Sequence, residues 1–252
     1  MPAKKIGIVG IPPLAVIRKI KDQKCNIVDL DEPQVHMGMD LSSQYLPKVY
    51  CAILRTVVVN ALYLDLDEIY IDVGPGKCDG ALHVATILED ILKIPVNRTR
   101  NLDSEPFGTP VSRTRMPLFE KFMAITRGVL SDSPHTPLEP CRPAAGFWGV
   151  PPRDFSILSL FPDTTHVYGW TRCMENKTPA DLGLETYANS AVPTVFFAQS
   201  FCAKTALAHH LARLHPHSLY LDCDLAAGNS ARAKIEAFLE LSGAKRPDRE
   251  PT

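Results

Sequence analysis

Cys51, Cys78, Cys173 and Cys202 are the residues of this chain whose type and placement could do chemistry. Cys78 and Cys202 each stand just after an apolar run, at 68–73 and 193–198, and just before a stretch with helical spacing. Cys51 precedes Cys78, and Cys173 precedes Cys202, by nearly the same number of residues. The thiolate is the form of cysteine that attacks electrophiles and holds soft metals. The chain has 7 cysteines, an odd number that cannot close into a complete disulfide framework. In a reducing compartment such cysteines serve metal binding or catalysis more often than cross-linking.

Single thiolates drawn from well-separated parts of a chain suit an iron–sulfur cluster. Each iron takes its own cysteine, four for a [4Fe–4S] cubane, or three when one iron stays open for substrate. Zinc accepts the same sulfurs, but structural zinc sites favour tight Cys-Cys knuckles, and the closest pair here, Cys202 and Cys223, is far wider. Gly74, Gly76 and Gly80 flank Cys78 and let amide N–H groups approach cluster sulfurs. Arg55, Lys77, Arg172 and Lys204 lie near the four cysteines and can offset an anionic group. The competing reading of the same residues is packing, because cysteine is also a small core residue; it makes the chain a metal-free scaffold subunit. His209, His210, His215 and His217 read as helix-end residues, and Asp222-Cys223-Asp224 as the end of a strand.

The elements that must position these cysteines alternate between strand and helix. Ile6-Gly7-Ile8-Val9-Gly10 reads as a strand, Pro12-Pro13 as the start of a helix carrying Leu14, Ile17 and Ile20, and 26–30 as a second strand. Helical spacing runs over 46–62, a buried-type strand over 68–73, a helix over 81–92 and a further strand at Ile94-Pro95-Val96. The opening then returns: Gly146-Phe147-Trp148-Gly149-Val150-Pro151-Pro152 echoes Gly7-Ile8-Val9-Gly10-Ile11-Pro12-Pro13. Strands follow at 165–170, 193–198 and 218–222, with helices at 179–187, 203–214 and 231–241, the last stopped by Gly243. The pattern predicts an α/β protein of two similar Rossmann-like units with mostly parallel sheets, related by internal duplication. The first unit is expected over 1–104 and the second over 145–252, joined by a proline-rich linker at 105–144 with one helix between Pro117 and Leu130. In open parallel sheets ligands bind at the strand C-terminal ends, where Cys78 and Cys202 both fall.

Charge and hydropathy narrow the classes. With 27 Lys and Arg against 28 Asp and Glu the net charge is −1, which argues against a dedicated nucleic-acid binder. No apolar run reaches the length of a membrane span, and 6–11 is too short for a signal-peptide core, so a cytoplasmic protein is expected. A second functional class starts from Ala203-Lys204-Thr205, followed by Asp222-Cys223-Asp224, which looks like parts of a P-loop nucleotide-binding protein. The glycines that wrap phosphate are absent from 198–205.

The stretch 46–95, with Cys51, then Asp67-Glu68-Ile69-Tyr70-Ile71 and Cys78-Asp79, resembles subunits of the 2-hydroxyacyl-CoA dehydratase and benzoyl-CoA reductase family. Phe201-Cys202, then 219–224, then Ala231-Arg232-Ala233-Lys234-Ile235-Glu236-Ala237-Phe238-Leu239-Glu240 is similar to that family's ending. The resemblance implies a [4Fe–4S] cluster held by Cys51, Cys78 and Cys202, working in low-potential electron transfer or in reductive and dehydration chemistry. An ATP-driven activator or redox partner goes with that chemistry, and a homodimer is expected because clusters in such folds often sit near subunit interfaces. Cys173 comes from the internal repeat alone. As a fourth ligand it would close the open iron and leave only redox or assembly roles.

Overall fold

The computed structural model describes residues 3–35, 37–107, 110–133, 136 and 138–244. Pro134, Pro137 and the end of the expected second unit, 245–252, lie outside the described residues. The chain divides into two compact units. One comprises Met1–Pro106, Val129–Ser133 and Lys177–Asp181; the other comprises Phe107–Gly128, Pro134–Asn176 and Leu182–Thr252. The proline-rich stretch is thus shared out between the units, most of it to the second.

The first unit runs β1 (Lys5–Val9), α1 (Leu14–Asp22), β2 (Asn26–Asp29), α2 (Ala52–Tyr63), β3 (Glu68–Asp72), α3 (Asp79–Ile91) and β4 (Val96–Thr99). Its sheet has the order β2-β1-β3-β4, and every pair is parallel. Right-handed crossovers then place α1 on one face and α2 with α3 on the other. The pleat agrees: Ile6 and Ile8 of β1 point to one side and pack with Ile17 and Ile20 of α1. On the opposite side Gly7 leaves room for Leu30 and Leu66, which a β-carbon there would meet at 2.7 and 3.2 Å. Strands covered on both faces need near-continuous apolar sequence, as β1 has.

After α4 (Leu118–Val129), the second unit runs β5 (Gly146–Gly149), β6 (His166–Tyr168), α5 (Trp170–Asn176), α6 (Leu182–Thr186), β7 (Thr194–Gln199), α7 (Thr205–Leu214), β8 (Ser218–Cys223) and α8 (Asn229–Leu241). Its sheet order, β6-β5-β7-β8, repeats that of the first, again all parallel. The internal repeat is therefore a repeat of topology. Its core is more aromatic: Phe122 of α4 meets Phe147 edge-on at 5.1 Å, and Phe147 stacks on Phe197 at 5.8 Å.

Several boundaries differ from the sequence reading. The strand expected at 94–96 runs Val96–Thr99, and the helix expected over 179–187 is only Leu182–Thr186. Two others have clear local causes. The helix expected over 46–62 begins at Ala52, because Pro47 closes a turn with Tyr50 (N to O 3.0 Å) and Cys51 is extended at φ −61°, ψ 151°. Trp170, expected to end a strand, opens α5 instead. Gly169 turns the chain at φ 74°, with the Trp148 ring 2.8 Å from where its β-carbon would stand.

The first unit's loops converge on Asn101, which is fully buried. Its amide nitrogen donates to the carbonyls of Ile11 (3.0 Å) and Lys177 (3.2 Å), and its backbone N–H donates to Asp72 Oδ1 (2.9 Å). Asn60 of α2 does a similar service for the chain leaving β2, donating to the carbonyls of Leu30 (2.9 Å) and Glu32 (2.7 Å). Removing such a side chain strands buried carbonyls. Asn101→Ala is expected to cost about 2–4 kcal/mol, read as a fall in the urea midpoint with unchanged m.

Two lysines are buried among carbonyls. Lys121 donates to Asp163 O (3.1 Å) and Thr165 O, and Lys177 donates to Ser131 O. Burial depresses each from the usual 10.5 to about 8, with nearby carboxylates opposing in both cases. Between those values the unfolded chain holds protons that the folded chain has released, so stability rises with pH through that window. Urea midpoints should therefore increase from pH 8 towards about 9.5, and Lys121→Met should remove part of that slope.

Candidate functional site

Cys51 and Cys78 have the same local role in the first unit: each is the residue immediately before a helix, α2 and α3 respectively. Both are extended, and neither thiol caps its own helix. The first N–H groups of a helix have no intrahelical partner and carry its partial positive charge, and each of these cysteines stands at such an end. The two ends adjoin. A β-carbon on Gly80 would lie 3.4 Å from Cys78 Sγ, 3.8 Å from the ring of Tyr50 and 2.8 Å from Leu54 Cδ1. Gly80 thereby keeps open the space between the Cys78 thiol and the start of α2. Tyr50 in turn reaches His83 of α3, with Oη and Nδ1 3.4 Å apart.

The loop from β3 to α3 has a shape only glycine permits. Gly76 has φ 81°, and a β-carbon there would stand 1.8 Å from the Pro179 carbonyl oxygen. Gly74 lies against the backbone of Arg100 and Asn101, at 3.0 and 2.8 Å from the same test position.

In the second unit, Cys202 follows β7 as Cys78 follows β3, the corresponding third strand of each sheet. It sits in a tight turn, its N–H donating to Gln199 O (2.9 Å) and its carbonyl accepting from Thr205 N (3.0 Å). Phe201 beside it is more than half exposed and has φ 63°, an unusual conformation for an aromatic residue. The turn is tied to β8: Ser200 Oγ donates to Asp222 Oδ1 (2.5 Å), and Gln199 Nε2 donates to Cys223 O (2.9 Å) and Asp224 O. Cys173 does not match Cys51 in position: it lies inside α5 and is completely buried. Cys25, Cys141 and Cys223 are also thiols rather than disulfide halves. Burial, followed by the charge of Asp222, pushes the Cys223 thiol upward, away from thiolate.

The four cations named from the sequence have different surroundings. Arg172 forms a buried ion pair with Glu175, whose other oxygen accepts from the N–H groups of Val111 and Ser112. Lys204 pairs with Glu185 and lies over the Trp170 ring, 4.2 Å from its centre. The lysine of the P-loop-like stretch is thus already engaged by an anion and a ring. Lys77 is within electrostatic reach of Asp29, Asp31 and Asp72. Arg55, one turn into α2 from Cys51, is 4% exposed, and its guanidinium donates to Ser42 Oγ and Met39 O, both at 3.4 Å. Among the described residues it is in no ion pair. A buried cation held by two long hydrogen bonds and no carboxylate favours an anion nearby. No sequence pattern marks this difference, since the partners of Arg172 and Lys204 are supplied by folding.

Among the described residues no three His, Cys, Asp or Glu side chains gather around one point as a single metal ion requires. A cubane does not ask that of its ligands, because each cysteine binds a separate iron. No helix is long and apolar enough to cross a membrane among the described residues. No family model and no curated protein matches the chain.

Gly76→Ala is expected to cost about 2–4 kcal/mol from the clash with Pro179 together with its left-handed backbone. A drop in thermal midpoint of several degrees, larger than that of Gly38→Ala where a β-carbon meets nothing, checks it.

Proposed function

We propose that this chain is an iron–sulfur protein, with Cys51, Cys78 and Cys202 as thiolate ligands of a [4Fe–4S] cluster; Cys173, the fourth candidate from the repeat spacing, is the one the iron count must decide. The observation that carries the reading is in the first unit. Two cysteines stand at the starts of adjoining helices, and a buried arginine with no carboxylate partner among the described residues lies one turn from the first of them. Thiolates, helix N-termini and a guanidinium together favour a group that is anionic and soft. The equivalence of Cys202 with Cys78 in the strand order, and the resemblance of both flanks to the dehydratase family, extend the assignment to the second unit.

Bound there, the cluster would supply low-potential electron transfer, or a Lewis-acidic iron for reductive or dehydration chemistry if one iron is left without a cysteine. The residues of the chain have separable parts in this. Cys51 and Cys78 present sulfur at the ends of two helix dipoles. Arg55 offsets negative charge from within the core. Gly76 and Gly80 admit backbone and keep the Cys78 thiol uncovered. An ATP-driven activator or redox partner, and a homodimer, belong to the same proposal.

Iron and acid-labile sulfide on protein purified without oxygen should each come to about four per chain, with a broad brown absorbance lost on oxidation. Cys78→Ala and Cys202→Ala should each lose most of that iron, whereas Cys25→Ala should keep it. Cys173→Ala separates the two ligand counts: retained iron means three ligands and an open site. Equal iron in all four variants, or none in the parent after anaerobic reconstitution, would overturn the assignment.

A further inference from the structure

At the carboxyl edge of the first sheet, next to the cleft between β1 and β3 where the strand order reverses, three carboxyls and one ammonium group come together. Asp29 ends β2, Asp31 follows two residues later, and Asp72 ends β3. Lys77 comes back over Gly10, which follows β1 with φ 76°. A β-carbon on Gly10 would stand 2.5 Å from Lys77 Nζ and 3.5 Å from Asp72 Cβ. Such a position in an open parallel sheet is where ligands lodge.

Half of the acceptor capacity here is used by the backbone. Asp29 Oδ1 accepts from Asp31 N (2.9 Å), and Asp31 Oδ2 accepts from Gly10 N (2.8 Å). Asp72 Oδ1 accepts from Asn101 N (2.9 Å) and Gly74 N (3.3 Å). Among the described residues Asp72 Oδ2 has no hydrogen-bond partner, although the residue is only 1% exposed. The Thr99 hydroxyl, which donates to Ile71 O (3.4 Å), also lies near the Asp72 carboxylate. An orphaned buried carboxylate oxygen is destabilising, and it is a standing acceptor for a donor brought from outside. Asp29 and Asp31 are half-buried, so part of each stays open to solvent.

The charges select the ligand class. A free anion meets three carboxyls, with Glu32 close behind Asp29. An organic cation meets Lys77. A single metal ion would need the carboxylates to converge on one point, and among the described residues they do not. A hydroxyl group satisfies both kinds of neighbour, since it donates to carboxylate oxygen and accepts from ammonium. We propose that this edge of the sheet binds the vicinal hydroxyls of a pentose, free or as the ribose of a nucleoside, with Asp72 Oδ2 and Asp31 as acceptors and Lys77 Nζ as donor. The site uses no thiol, although Lys77 adjoins Cys78 in the chain.

Titration calorimetry with D-ribose, adenosine and 2′,3′-dideoxyadenosine tests it on the full chain. Saturable binding of adenosine, weakened about tenfold or more in the dideoxy compound, is the expected result. Binding of D-ribose as well shows that the free sugar suffices, and binding of adenosine alone shows that the base contributes. Asp72→Asn and the more exposed Asp31→Asn should each weaken the interaction at unchanged circular dichroism. Absence of binding by both diols at millimolar concentration, or equal binding of the dideoxy compound, would overturn the proposal.

Discussion

The first unit depends on one buried pairing, that of Asn101 with Asp72. The Asp72 carboxylate ends β3 and accepts from Asn101 N, while the Asn101 side chain holds the chain leaving β1 and the segment at Lys177. Backbone that leaves a parallel sheet at its carboxyl edge has no ladder to satisfy it. A single side chain with two amide hydrogens and one acceptor replaces that ladder for three loops at once. The position of Gly10, the path of 74–78 and hence the placement of Cys78 follow from it.

The same need is met differently in the second unit. There Gln199, at the end of β7, reaches sideways to the carbonyls of Cys223 and Asp224, and its oxygen accepts from Arg153 N (2.9 Å). Two units with one strand order thus close their carboxyl edges with different amide side chains. In the first, the solution leaves a carboxylate oxygen without a donor; in the second, it leaves a tight turn with Phe201 in a left-handed conformation. Duplication conserves topology because the apolar pattern of the strands enforces it. Loop chemistry is free to diverge, since only the hydrogen-bond count must balance.

Charge placement follows burial. Arg172, Lys204, Lys121 and Lys177 are enclosed with carboxylates or carbonyls that offset their desolvation. Arg55 is enclosed with much less, and it is the one of these that lies a turn away from a cysteine at a helix start. The proposed ligand assignment rests on that contrast.

Strand and helix order was readable from the sequence because apolar period and the Gly and Pro punctuation are local properties. The echo of Gly7-Ile8-Val9-Gly10 in Gly146-Phe147-Trp148-Gly149 marked equivalent strands, β1 and β5, that pair in the same way with β3 and β7. The sequence also placed Cys78 and Cys202 after corresponding strands, a consequence of chain order alone. What it could not contain was the start of α2, where a turn at Pro47 overrides helical spacing, or the helix that takes in Trp170 and Cys173 once Gly169 turns the chain. Nor could it show that Arg55 lacks the carboxylate that Arg172 has, or that Asp72 keeps an oxygen without a donor. Those facts depend on which distant residues folding brings within hydrogen-bond reach, and only the tertiary structure decides that.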